Sequence, residues 1–265
     1  MANKYYNTVK TYYDEDAGDF DERYWQNPVL QTIRQSFREE VKKHPFSNML
    51  EIGYGTGIDL AHFGVTHPEV TIYGIDISGE MCRIAKERAK KQGLENVFAA
   101  EGSVEDIERL FPETQFDMIY VFFGALNTVA DLDETALILK KLIKNDGVMV
   151  LSFVNKYYIL GMLIESVKLR FSHAFARLRP VWGGYSPVKY LPSRCYSPKE
   201  IVRTFSGLEL LKRRGYSIVH PAWYYHGLNR RLGGIRRWLW KADILLNKTF
   251  FWKFGEYTLF VFRKG

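Results

Sequence analysis

The sequence predicts an α/β fold: a mostly parallel sheet with helices on both faces. Three observations carry this reading. From residue 27 to 154, short apolar and β-branched runs alternate with helical patterns of roughly 10–15 residues. A glycine-rich turn, Gly53 to Gly57, follows the first apolar run and opens a helix. The second run ends on an acid, Asp76. In such sheets ligands lie outside the carboxyl ends of the strands. At 265 residues, with 46% apolar and 25% charged residues, the chain can bury a core without a disulfide or a structural metal.

The elements follow in order. Pro28–Lys43 places Leu30, Ile33, Phe37 and Val41 at helical spacing, and Pro28 suits a first turn. Asn48–Ile52 is a short strand running into Gly53. Val70–Ile77 is a second strand, and Ser78 caps a helix that keeps Met81, Ile84, Ala85 and Arg88 in phase. Val97–Ala100, Phe116–Phe123 and Gly147–Val154 are the third, fourth and fifth strands, with Leu132–Ile143 a helix between the last two. Ser197-Pro198-Lys199-Glu200 has the cap, the proline and the acid of a helix start. Leu208–Leu211 with Tyr216–Trp223 reads as the sixth strand, and Glu256–Arg263 as the seventh.

The glycine turn carries the chemistry. Leu50-Glu51-Ile52-Gly53-Tyr54-Gly55-Thr56-Gly57 spaces its glycines differently from a dinucleotide fingerprint, and no Lys-Ser/Thr pair follows as in a P-loop. Glycines let the backbone approach a ligand, and the helix start presents free N–H groups to it. Asp76, nineteen residues after Gly57, is placed to accept both ribose hydroxyls of a nucleoside. With Ser78 available as the helix cap, ribose contact is the preferred reading of Asp76.

These residues together resemble the class I S-adenosylmethionine-dependent methyltransferases. Glu51–Gly57 matches the family's first motif and Asp76 its ribose acid, followed by Ile77. Gly102-Ser103-Val104-Glu105-Asp106 stands where the adenine segment falls, with Ser103 in place of the usual acid. Phe116–Ile119 and Gly147–Val150 match the starts of the fourth and fifth strands, and the likeness spans residues 10–155. The resemblance implies a Rossmann-like three-layer sandwich: a seven-stranded, mostly parallel sheet, its last strand antiparallel, plus a lid insertion. It implies S-adenosyl-L-methionine as cofactor, S-adenosyl-L-homocysteine as product, and Tyr13, Glu51, Gly53, Gly55, Gly57, Asp76, Ile77, Ser103, Val104 and Phe122 as its contacts. Phe122 and Phe123 read equally as sheet core or as a wall of that site. Tyr13-Asp14-x-x-Ala17-x-x-Phe20-Asp21 resembles the leader of small-molecule methyltransferases, including those of quinone synthesis, where it folds over the cofactor. Tyr13 then either contacts the cofactor or simply packs.

Charge divides the chain. Residues 1–150 hold 16 Lys/Arg and 25 Asp/Glu, whereas residues 151–265 hold 21 and 5. Of six tryptophans only Trp25 lies in the first part. The expected organisation is one methyltransferase domain: an N-terminal lid and helix (1–45), a cofactor core (46–154), a substrate lid insertion (155–195), and C-terminal strands with a basic helix (196–265). In the insertion, Arg170, His173 and Arg177 fall at helical steps and read as a solvated polar stripe. Leu228–Asn247 interleaves Arg230, Arg231, Arg236, Arg237 and Lys241 with Leu232, Ile235, Trp238, Leu239 and Trp240, bent at Gly233-Gly234. That pattern suits an anionic membrane surface, a phosphate backbone, or a helix covering the sheet with Trp inward and Arg outward.

Several classes are excluded. Cys82 and Cys195 cannot form a disulfide framework or a four-ligand zinc site, and no metal is expected. Neither a secretory signal nor a membrane span is visible, so the expected location is cytoplasmic, with peripheral membrane contact as a variant. The leading function is methyl transfer to a small or amphiphilic metabolite, anionic or lipid-linked. A nucleic-acid methyltransferase is the alternative, although the fourth strand lacks the Asn/Asp-Pro-Pro-aromatic ending of amino-base methylation. A non-catalytic membrane scaffold is the third reading. His173, His220, His226 and Tyr158 are the candidate acid–base groups, none singled out by its context.

Overall fold

The computed structural model describes residues 2–186 and 189–265. Seven strands form one sheet: β1 Asn48–Ile52, β2 Thr71–Asp76, β3 Val97–Glu101, β4 Phe116–Val121, β5 Ile143–Val154, β6 Glu209–Tyr216 and β7 Tyr257–Arg263. Their spatial order is β3-β2-β1-β4-β5-β7-β6. All neighbours pair parallel except β7, which runs antiparallel to both β5 and β6. The expected seven-stranded topology with an antiparallel last strand is therefore present.

The helices are α1 Ala2–Asp16, α2 Phe20–Trp25, α3 Pro28–Val41, α4 Ile58–Thr66, α5 Gly79–Lys91, α6 Ile107–Leu110, α7 Leu132–Leu142, α8 Ile159–Val167, α9 Phe171–Ala174, α10 Pro198–Thr204, α11 His226–Arg231 and α12 Ile235–Leu246. One sheet face packs on α3, α4 and α5 through Ile33, Phe37, Phe63 and Ala85. The other packs on α6, α7 and α10 through Ile107, Leu139, Ile201 and Phe205. Strand alternation divides β7 between them: Leu259 and Val261 enter the first layer, Phe260 and Phe262 the second. Burial on both faces explains why the central strands read as nearly continuous apolar runs.

The back of the chain departs from expectation in three places. Tyr216–Trp223 does not continue the sixth strand; β6 ends at Tyr216 and the following residues turn. Their backbone is held by the buried Asp243 carboxylate, which accepts Ile218 N–H at 3.1 Å and Val219 N–H at 2.8 Å. The basic helix is two helices rather than one bent helix, because Gly233 adopts φ +48° between α11 and α12. The stripe of Arg170, His173 and Arg177 does not form. Helix α9 stops at Ala174, leaving Arg170 and His173 exposed, while Arg177 is turned into the core.

Candidate functional site

The carboxyl ends of β1, β2 and β4 surround a cavity of about 160 Å³. Its floor is the glycine turn. Gly53 and Gly57 adopt φ +70° and +75°, and a Cβ on Gly57 would stand 2.7 Å from Ala85 Cβ. Glycine is thus required for both the left-handed conformation and the approach of α5. Asp76 ends β2 and is buried; its two oxygens accept Gly55 N–H at 2.8 Å and Ser78 N–H at 2.9 Å. A carboxylate retains further acceptor sites beyond these two bonds. Burial pushes the Asp76 carboxyl up to about 6, against the lowering effect of both N–H donors.

Among the described lining residues Asp76 is the one charged group; no Lys, Arg or His contributes. A phosphate-bearing ligand would find no cation there, whereas a nucleoside carrying positive charge would find a single buried carboxylate and a largely apolar wall. That chemistry fits S-adenosylmethionine. Of the expected contacts, Tyr13, Gly53, Gly55, Asp76, Ile77, Ser103, Val104 and Phe122 all line the cavity. Glu51 and Gly57 stand behind it. Glu51 is buried and accepts the Tyr120 hydroxyl at 3.0 Å; burial and then the neighbouring Asp59 push its carboxyl well above the usual range. Gly57 is the N-cap of α4. The Ser103 hydroxyl donates to Asp106 at 3.0 Å, within a capping box whose Asp106 also accepts Ser103 N–H.

The roof comes from the N-terminal segment. Tyr6 and Tyr13 of α1, with Phe20 of α2, close over the glycine turn. Asp14 accepts the Ser78 hydroxyl at 2.6 Å and Glu80 N–H at 3.1 Å, tying α1 to the start of α5. Asp21 accepts the Thr56 hydroxyl and the Arg88 guanidinium, fixing the leader to the glycine turn itself. Tyr6 and Val9 were missed by sequence reasoning. Their spacing with Tyr13 on one helix face was the available signal.

The inner wall is Phe122 and Phe123. Phe123 takes φ +54°, an uncommon conformation for a bulky residue. The next residue, Gly124, accepts Asn127 N–H at 2.9 Å, and the Asn127 side chain bonds both N–H and C=O of Val154 at the end of β5. The Phe123 ring meets the Tyr257 ring at 5.7 Å, and the Tyr257 and Tyr185 hydroxyls lie 3.2 Å apart. Tyr185 belongs to the insertion and lines a second cavity, of about 810 Å³, together with Lys168, Arg170, His173 and Arg179. Beneath it Arg177 donates to Glu256 at 2.8 Å, and Tyr185 and Tyr224 donate to the same carboxylate. Burial opposes the Arg177 charge, but Glu256 more than offsets it and holds the guanidinium well above its ordinary value.

None of the four candidate acid–base groups lines the first cavity. His173 is exposed at the rim of the second. Tyr158 also lines that cavity, its hydroxyl accepting Ala222 N–H at 3.1 Å. His220 is buried, stacked on Trp240 at 4.4 Å, and burial lowers its pKa. His226 is exposed at the start of α11. Among the described residues no group of His, Cys, Asp and Glu is arranged to hold a metal.

A family model described as a methyltransferase domain matches residues 43–182. The chain is 29% identical over 181 residues to the ubiquinone/menaquinone biosynthesis C-methyltransferase UbiE of Geotalea daltonii, covering 66% of this chain and 73% of that one. It is 27% identical over 157 residues to a demethylmenaquinone methyltransferase of Listeria monocytogenes, covering 57% of this chain and 62% of that one. An S-adenosylmethionine-dependent methyltransferase structure from Thermotoga maritima superposes with a TM-score of 0.58 at 17% identity, covering 97% of this chain and all of that one, a likeness of fold.

Proposed function

This chain belongs to the methyltransferase-domain family as an S-adenosylmethionine-dependent methyltransferase, and from that premise we propose that its acceptor is a small or amphiphilic metabolite held between the sheet end and the insertion. The cofactor, when bound, supplies a methyl group on a sulfonium, so the protein's task is alignment and exclusion of water. In this reading Asp76 accepts the ribose hydroxyls, while the backbone at Gly53 and Gly55 lies against the amino-acid part. Ser103 and Val104 border the base. Tyr6, Tyr13 and Phe20 cover the cavity, and Phe122 and Phe123 face the reacting end.

The observation that carries the acceptor reading is the aromatic wall running from Phe123 through Tyr257 to Tyr185. It joins the cofactor cavity to the larger, cation-rimmed cavity under the insertion. An acceptor with an apolar body and an anionic or polar end matches both parts. The names of the quinone-pathway relatives support the same class. The test is release of S-adenosylhomocysteine from S-adenosylmethionine against a panel of phenolic, quinone-precursor and lipid-linked acceptors, with RNA as a parallel arm. Turnover with the amphiphilic aromatic set is expected. Turnover confined to RNA, falling steeply with salt, would replace this reading with nucleic-acid methylation.

A further inference from the structure

We propose that the described residues of segments 156–195 and 217–256 together form a docking face for an anionic lipid bilayer. Topology brings them to one end of the molecule. β5 and β6 run in the same direction and β7 returns against both. The chain therefore leaves β5, leaves β6 and enters β7 at the same edge, the carboxyl end of the parallel strands where the cofactor cavity opens.

These two segments hold eighteen of the twenty-four large apolar side chains left exposed among the described residues. The exposure is patterned. On α8, Leu160 and Ile164 pack against Tyr158 and Tyr225, while Ile159, Leu163 and Val167 face outward at four-residue steps, Val167 at 84% exposure. On α12, Asp243 and Trp240 turn inward to the 218–220 turn, while Ile235, Trp238 and Leu245 face outward, Trp238 at 71%. The sheet-covering alternative is thus only half correct: one tryptophan is inward and one outward. Outward apolar residues at helical spacing mark a helix face that has a partner or a boundary to meet.

Charge selects the partner. The segments contain fourteen Lys/Arg and three Asp/Glu. Asp243 and Glu256 are buried and committed to internal bonds, and Glu165 is paired with Lys168. Arg230, Arg231, Arg236, Arg237, Lys241, Lys248 and Lys253 form no ion pair among the described residues. Lys156 and Arg194 pair with Glu200, and Lys189 with Glu15, both acids from outside the segments, which leaves nine excess positive charges; a second copy of this face would oppose them with nine more, a repulsive pairing. A nucleic acid would satisfy the cations but leave the outward α8 and α12 stripes uncovered. An anionic bilayer satisfies both, with apolar side chains at the acyl boundary and cations among the headgroups. Among the described residues no helix is long and apolar enough to cross a membrane, so the contact would be interfacial.

The inference does not depend on the identity of the methyl acceptor, and acceptor-free vesicles test it. Flotation is measured with phosphatidylcholine vesicles and with vesicles containing about one-third phosphatidylglycerol, at low and high salt. Flotation with the anionic vesicles alone, weakened by salt, is expected. Arg236→Gln/Arg237→Gln/Lys241→Gln should lower partitioning roughly fivefold per residue, on the order of a hundredfold together. Trp238→Ser/Leu245→Gln should lower it as well, while a front-surface Leu137→Gln should leave it unchanged. Each variant must titrate with S-adenosylhomocysteine as the parent does, which separates loss of docking from loss of fold. Failure of a cofactor-competent protein to float overturns the proposal. So does equal loss in the Leu137 variant, or a concentration-dependent dimer that Trp238→Ser/Leu245→Gln dissolves.

Discussion

Asp76 is held by Gly55 and Ser78 N–H groups at the end of a strand, with its remaining acceptor capacity turned to the cavity. In Asp76→Asn an amide nitrogen must face one of those donors, and the charge is gone. Losing two charge-assisted bonds at about 1.5 kcal/mol each should weaken S-adenosylhomocysteine binding on the order of a hundredfold by calorimetry. The carboxyl, raised from 3.8 to about 6, gives opposite pH trends with and without ligand. Without ligand, its contribution to stability is present below its ordinary value and is lost as pH rises through about 6. The ionised form is the better acceptor, so affinity should rise over that same window; affinity that is flat across it would remove Asp76 from the ribose role. Asp76 was legible in the sequence because strand end and acid are adjacent in the chain. Glu51 was legible as a motif position but not as a role. Its environment is made by Tyr120 and Asp59, which arrive from other elements.

Carboxylates help to tether two elements. Helix α1 is tied at its end by Asp14, which takes the Ser78 hydroxyl and Glu80 N–H at the start of α5, beside the bonds of Tyr5, Tyr6 and Lys10 to Pro192, Glu105 and Glu101. Asp14→Ala removes a cap-like contact of about 1 kcal/mol. Amide exchange across residues 4–13 should quicken, and cofactor affinity should fall roughly fivefold as the roof loosens. Unchanged exchange in α1 would show the tether to be dispensable. The insertion hangs on Glu256, buried beneath Arg177, Tyr185 and Tyr224. Arg177→Leu leaves that buried carboxylate without its cation and should cost about 3–5 kcal/mol in denaturant unfolding. Arg177→Leu/Glu256→Leu should recover part of the loss, because the unpaired charge is removed with its partner. The leader's Phe20 and Asp21 were visible as a motif; the Arg177–Glu256 pair was not, since its members lie 79 residues apart.

At the scale of the whole molecule, a sheet buried on both faces places every ligand-facing loop at one end. The cavity there belongs to the native state alone, so a ligand that fills it must stabilise the fold by mass action. S-adenosylhomocysteine at a hundred times its dissociation constant should add about 2.7 kcal/mol and raise the melting temperature by roughly 5–10 °C in a chain of this size. ATP, whose phosphates find no cation among the described lining residues, should give no comparable shift. The sequence by itself determined the strand–helix alternation, the glycine turn, the helix caps at Ser78 and Ser197, and the acid after β2. Each is set by residues within a turn or a strand of one another, where backbone conformation and hydrophobic period decide. Only the tertiary structure decided which polar and aromatic residues of the back half are inside: Arg177 but not Arg170, Trp240 but not Trp238, and Asp243 and Glu256 as buried anchors. Burial of a charge depends on a partner brought across the fold, and local pattern carries no record of which partner arrives.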